Sequence, residues 1–160
     1  MNSDNDPMTV SKSTRTGIFI CYCHVDLHHL NRLKMHLAPF VRNRKIDYWV
    51  DTMIKPGSEW LEEIKQAISS AKVAIFLVSA DFLASEFIAE IEIPPLLVAA
   101  QREEAILMSV ILSYCAFEHS ELYKYQAINP QSKPLGSMSK SKREEVWANL
   151  TRQVVSTLNC

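Results

Sequence analysis

Two alternating periods organise the apolar positions of this chain. Short, nearly unbroken apolar runs occur at Gly17 to Tyr22, Ile46 to Val50, Val73 to Val78 and Ile106 to Leu112. Between them, apolar residues recur three and four apart. Leu27, Leu30, Leu33, Leu37 and Phe40 form one such stripe; Trp60, Leu61, Ile64, Ala67, Ile68 and Ala71 form the next. The short runs read as strands and the stripes as amphipathic helices. Val73 to Val78 is apolar at every position, which suits a parallel strand covered on both faces.

Punctuation refines the boundaries. The first helix is expected to end near Pro39. After Val50 comes Asp51, then a loop whose Pro56-Gly57 pair supplies turn chemistry: proline fixes φ and glycine accepts positive φ. Ser58 is placed to cap the second helix, Glu59 suits its positive end, and the helix should run to about Ser70. Ser79 to Ser85 reads as a loop or short turn. A helical stretch from Glu86 to about Gln101 contains Pro94-Pro95, which remove donors and crowd the preceding turn. A kink or restart near Pro94 is therefore expected. Residues 113–140 carry Pro130, Pro134, Gly136 and several serines, and yield no clear element. Ser141 and Glu144 have the spacing of a capping box, opening a last helix with Val146, Leu150, Val154 and Leu158 on one face.

Strand followed by helix, four times over, predicts an α/β fold. The simplest form is a flavodoxin-like parallel sheet of about five strands, with right-handed crossovers and helices on both faces. Residues 1–16 are polar and read as a disordered leader; residues 17–160 read as one domain, a length that can bury a core without staples.

Composition narrows the function classes. A formal net charge of −1 offers no basic excess for collecting phosphates, which argues against a general nucleic-acid binder. No apolar run approaches the roughly 20 residues that span a bilayer, and the polar start is not a signal peptide. Cys21, Cys23, Cys115 and Cys160 are then expected as free thiols in a reducing, cytoplasmic setting. With glycines only at 17, 57 and 136, the chain has neither a dinucleotide fingerprint nor a Walker loop, and no G-x-S-x-G elbow is present. Cys21, Cys23, His24, His28 and His29 cluster in sequence, but a zinc site wants a second ligand pair and none is evident, so no metal is expected.

What remains is a set of acids near the carboxyl ends of predicted strands, where α/β proteins place their sites. Asp26 is placed to cap the helix beginning at Leu27. Asp51 is placed to end a strand and hold its loop. Glu90 and Glu92 point about 200° apart on a regular helix, so only one can face a given pocket. Phe87, Ile88, Ile91 and Leu96 make the apolar face, which leaves both acids at its borders.

Four segments, in order, carry a family resemblance. Phe19-Ile20-Cys21-Tyr22-Cys23-His24-Val25-Asp26 resembles the first-strand motif of Toll/interleukin-1 receptor (TIR) domains, usually Phe-Ile-Ser-Tyr-Ser-x-x-Asp. Tyr48-Trp49-Val50-Asp51, with Ile54-Lys55-Pro56-Gly57 and Trp60, is similar to the second strand and BB loop. Val78 to Ser85 is similar to the third strand and the approach to the next helix. Glu92-Ile93-Pro94-Pro95-Leu96-Leu97 resembles the Glu-Leu-Pro-x-Leu-Leu of many bacterial TIR domains. The resemblance extends from about Gly17 to Leu158, with cysteines where serines are usual at 21 and 23.

The resemblance implies a bacterial-type TIR domain that cleaves NAD+ at the nicotinamide–ribose bond, giving nicotinamide and ADP-ribose or a cyclic form. The alternative it implies is a silent scaffold for TIR–TIR signalling. By alignment of the Glu-Ile pair, the catalytic glutamate maps onto Glu92, with Glu90 as the fallback because the spacing from Phe87 departs by one residue from Trp-x-x-x-Glu. Tyr22, Cys23, His24, Asp51, Trp60 and Phe87 are the substrate-binding positions it implies. NAD+ enters as substrate, and no cofactor is implied. Implied partners are other TIR domains, as a homo-oligomer or filament completed by a neighbour's BB loop, and a sensor domain on a longer chain, with no direct nucleic acid and no membrane. A role as an effector of bacterial immune defence follows by analogy.

Overall fold

The computed structural model describes residues 15–43, 45–50 and 58–159. Five parallel strands form one sheet: β1 (Gly17–Cys21), β2 (Tyr48–Val50), β3 (Ala71–Val78), β4 (Ile106–Ile111) and β5 (Gln126–Ala127), ordered β2-β1-β3-β4-β5. That is the flavodoxin-like order expected from the alternation. The long helices are α1 (Leu27–Arg42), α2 (Ser58–Ser70), α4 (Ile93–Gln101) and α5 (Lys140–Leu158), with a short α3 (Ala80–Ala84) after β3.

Strand periodicity divides the core in two. Val73, Ile75 and Leu77 of β3 face one side, with Leu30, Leu33 and Leu37 of α1 and Trp147, Leu150 and Val154 of α5. Ala74, Phe76 and Val78 face the other, with Ile64 and Ile68 of α2, Phe82 of α3 and Leu96 of α4. Each β3 residue from Val73 to Val78 is completely buried, as the unbroken apolar run required. At about 25 cal/mol per Å2 of apolar surface, such side chains each contribute roughly 1.5–3 kcal/mol before entropy is counted.

Several expectations are corrected at their edges. The leader was drawn through residue 16, but Arg15 Nη1 donates to the carbonyls of Ile68 and Ala71 at 3.1 and 2.8 Å, and Thr16 N–H donates to Ser70 O. Residues 1–14 lie outside the described residues. The first helix runs through Pro39 to Arg42, so proline sits inside it rather than ending it. The second strand is confined to Tyr48–Val50, although the Ile18 N–H of β1 still donates to Asp47 O just before it. Ser79 to Ser85 is not a loop: Ser79 Oγ accepts from Phe82 N–H and caps α3. The capping box at Ser141 and Glu144 does not form, since Ser139 is the cap, accepting from Lys142 N–H at 3.3 Å, and Glu144 points to α1. The Ser58 side chain, the Pro56-Gly57 turn and Cys160 lie outside the described residues.

The diproline produces the expected restart, with a further twist. Ile88–Glu92 form a π turn, in which Ile93 N–H bonds to Ile88 O, and α4 begins at Ile93 with the prolines in its first turn. Proline is tolerated there because first-turn N–H groups have no intrahelical partner. Among the described residues, no helix is long and apolar enough to cross a membrane.

Candidate functional site

The site lies at the carboxyl ends of β1 and β3, where the strand order steps outward from its centre. Tyr22, Cys23 and His24 leave β1; Trp60 comes from the first turn of α2; Ser85, Phe87, Ile88 and Glu92 come from the segment leading into α4. Together they line a half-open cavity of about 320 Å3.

Glu92 is the sole acid of that lining among the described residues, and it is 3% exposed. Its inward aim has a local cause. In a π turn each turn takes more residues than in an α-helix, so the face presented to the core is shifted. Ile88 and Leu96 are buried as expected, but Ile91 is left half-buried and Glu92 takes an inward place. Glu90 is exposed on the other side. Of the two acids, Glu92 lines the cavity and Glu90 is not among its lining residues.

A buried carboxylate needs donors. The Cys21 thiol, itself 1% exposed at the end of β1, donates to Glu92 Oε1 at 2.6 Å. Sequence reasoning saw Cys21 only as a small packing residue. The available signal was strand period: Cys21 shares the face of Phe19, toward the helices that follow β2 and β3. Ser85 and Ile88 were also missed as wall residues. Ser85 Oγ accepts from Ile88 N–H at 3.3 Å, fixing the turn that delivers Glu92.

Trp60 and Phe87 stack on each other, with centroids 5.2 Å apart and planes at 22°. Both are half-buried, so they wall the cavity while packing on the core. Tyr22 and His24 form a tilted ring pair at 5.5 Å. Beneath the cavity, Asp26 does not cap α1. It accepts a 2.6 Å hydrogen bond from Ser79 Oγ, tying the segment after β1 to that after β3. Cys23 follows the strand rather than belonging to it and stays a free thiol beside Glu92's wall. Asp51 lies outside the described residues.

Six of the seven substrate-binding and preferred catalytic positions named from sequence, Tyr22, Cys23, His24, Trp60, Phe87 and Glu92, therefore share one cavity. Such an arrangement can accept a flat ring against the aromatic wall and place one carboxyl oxygen beside whatever that ring is attached to. Among the described residues, no three potential ligands gather as a metal site would need.

A family model described as TIR domain matches residues 18–145. The chain is also similar to y4lF, an uncharacterized protein of Sinorhizobium fredii (strain NBRC 101917 / NGR234), at 30% identity over 119 residues. That match covers 74% of this chain and 37% of the relative's length.

Proposed function

The chain belongs to the TIR domain family, and from that premise we propose that it is an NAD+ glycohydrolase with Glu92 as its catalytic carboxylate. One observation carries the reading: a single buried acid, held by a thiol donor, in a cavity walled by stacked aromatic rings.

The chemistry needs little more. Nicotinamide leaves the ribose as a neutral pyridine, taking the bonding pair of the C–N bond, so no general acid is required. Positive charge develops on the ribose, as in glycoside cleavage. A preorganised carboxylate stabilises that charge where it forms. Water then adds to the ribose carbon and loses a proton, giving ADP-ribose; capture by an adenine nitrogen gives the cyclic product instead. A cavity of about 320 Å3 fits the nicotinamide and its ribose, with the rest of the dinucleotide leaving through the open side. Trp60 and Phe87 offer the ring face, and Tyr22, Cys23 and His24 the opposite wall. The half-open side of the cavity leaves room for a neighbouring copy, and the resemblance implies that its Asp51 to Gly57 segment would be the part that closes it.

The test is nicotinamide release from NAD+ by the concentrated or artificially assembled protein. Glu92→Gln should lower kcat about 10²–10³-fold, the usual cost of removing a transition-state electrostatic partner. Glu90→Gln should stay near wild type. Loss confined to Glu90→Gln would move the site, and no turnover in any assembled state would leave the scaffold role.

A further inference from the structure

On the far side of β1, α1 and α5 enclose a second cavity, of about 420 Å3, lined by His28, His29, Arg32, Lys140, Arg143 and Trp147, with Gly136 and Glu144. We infer that it binds a phosphorylated small molecule, of the class of nucleoside diphosphates, independently of the Glu92 cavity.

The charge balance is the first reason. Three permanent cations line the cavity against one acid. That acid is already engaged: Arg32 donates to both Glu144 oxygens, at 2.7 and 2.9 Å, and His36 Nε2 lies 3.0 Å from Oε1. The pairing with Arg32 first, and with His36, holds the Glu144 carboxyl at about 2, so it remains charged and committed. Neither Lys140 nor Arg143 has an acidic partner among the described residues. In a protein of net charge −1, two uncompensated cations facing one cavity are a local excess.

Construction is the second reason. Arg143 is not a free-swinging side chain: its Nη1 donates to Met138 O at 2.7 Å, and it sits half-buried. Arg32 is fixed by its fork on Glu144. Trp147, 1% exposed, closes the floor, with His29 tilted against it at 6.5 Å. His29 is held below its ordinary value chiefly by burial, then by His28 and Arg143, while Asp26 opposes. The His28 and His29 rings lie 4.1 Å apart, and His28 is exposed, giving a planar group a face beside the cations. A guanidinium with fixed geometry and a mobile ammonium are the usual pair for a phosphate.

Calorimetric titration of the intact chain with ADP, inorganic pyrophosphate and adenosine decides the matter. Wild type should bind ADP and pyrophosphate but not adenosine, and binding should weaken as salt is raised. Lys140→Gln with Arg143→Gln should weaken ADP at least about tenfold. Lys140→Glu alone should do the same while sparing the Arg143–Met138 contact, so a folding defect in the double variant cannot hide the result. Trp60→Ala, a change in the Glu92 cavity and the core cluster on the other face of the sheet, should leave this binding unchanged. Equal ADP affinity in Lys140→Glu and wild type, loss of binding in Trp60→Ala, or adenosine binding as well as ADP would each overturn the proposal. Since the readout is binding, it stands or falls separately from NAD+ turnover.

Discussion

Cys21 and Glu92 form the contact on which the candidate chemistry turns. A thiol is a weak donor, yet at 2.6 Å in a buried setting it is one of the groups that make a buried carboxyl oxygen tolerable there. Cys21→Ala removes that donor and leaves a small void. We expect a stability loss of about 1–3 kcal/mol by denaturant unfolding, together with a lower kcat for nicotinamide release. Cys21→Ser supplies a donor of similar size and should recover most of both. If Cys21→Ala turned over NAD+ like wild type, the thiol would be packing only. At this scale the sequence was informative about residue type and silent about partners: strand period placed Cys21 on a face, but its bond to Glu92 spans 71 positions and depends on how the turn after β3 is wound. For the same reason Asp26 read as a cap. The sequence offered it a neighbour, the Leu27 helix, whereas the fold offered Ser79, a neutral donor 53 positions away.

The π turn at Ile88–Glu92 is the element that selects between two acids two residues apart. Regular helical geometry leaves Glu90 and Glu92 both at the edge of the apolar face, and no composition argument separates them. The diproline was legible as a restart because proline's missing N–H forces one. That the turn before it widens was not legible, since it reflects how Phe87, Ile88 and Leu96 pack together against β3 and α3. Deleting the exposed Ala89 should let the turn close as an α-helix, shorten the path from Ile88 to Glu92 by one residue and shift the carboxyl group within the cavity. We expect nicotinamide release to fall by at least about a hundredfold, with circular dichroism still showing a folded α/β protein. Preserved turnover in the deletion variant would show that the wide turn does not set the carboxylate's direction. The α1–α5 contact gives a second element-scale prediction. Glu144 has its carboxyl lowered to about 2 by Arg32 and His36, so its stabilising effect is complete above its ordinary value of 4.5 and is lost as pH falls toward 2. The pair is partly exposed, so the effect is small. Arg32→Gln should flatten the decline in melting temperature between pH 5 and pH 2 while lowering the plateau slightly; an unchanged slope would assign the acid sensitivity to other groups.

The whole molecule was the most legible level and its assembly the least. Alternating periods of two and three to four residues were enough to give four parallel strands with helices between them, because each period reports which faces must be covered, whereas the two-residue β5 at Gln126–Ala127 was not legible in a segment without a clear period. The order in turn located the site, since the carboxyl ends of β1 and β3 flank the cavity. What a single chain's pattern does not encode is the other side of an opening. The Glu92 cavity is half-open, and the loop that leaves β2 and returns at the Trp60 helix is the covalently connected segment nearest in sequence to its aromatic wall. If a neighbouring copy closes the cavity, turnover per mole of protein should rise steeply with protein concentration and plateau once association is complete. Light scattering and nicotinamide release measured on the same samples would follow one curve. A Trp60→Ala variant should associate normally but show KM raised about tenfold, because it loses ring contact rather than assembly. Specific activity independent of concentration, in samples that scatter as monomers, would mean that one copy carries a complete site and that the open side serves for substrate entry alone.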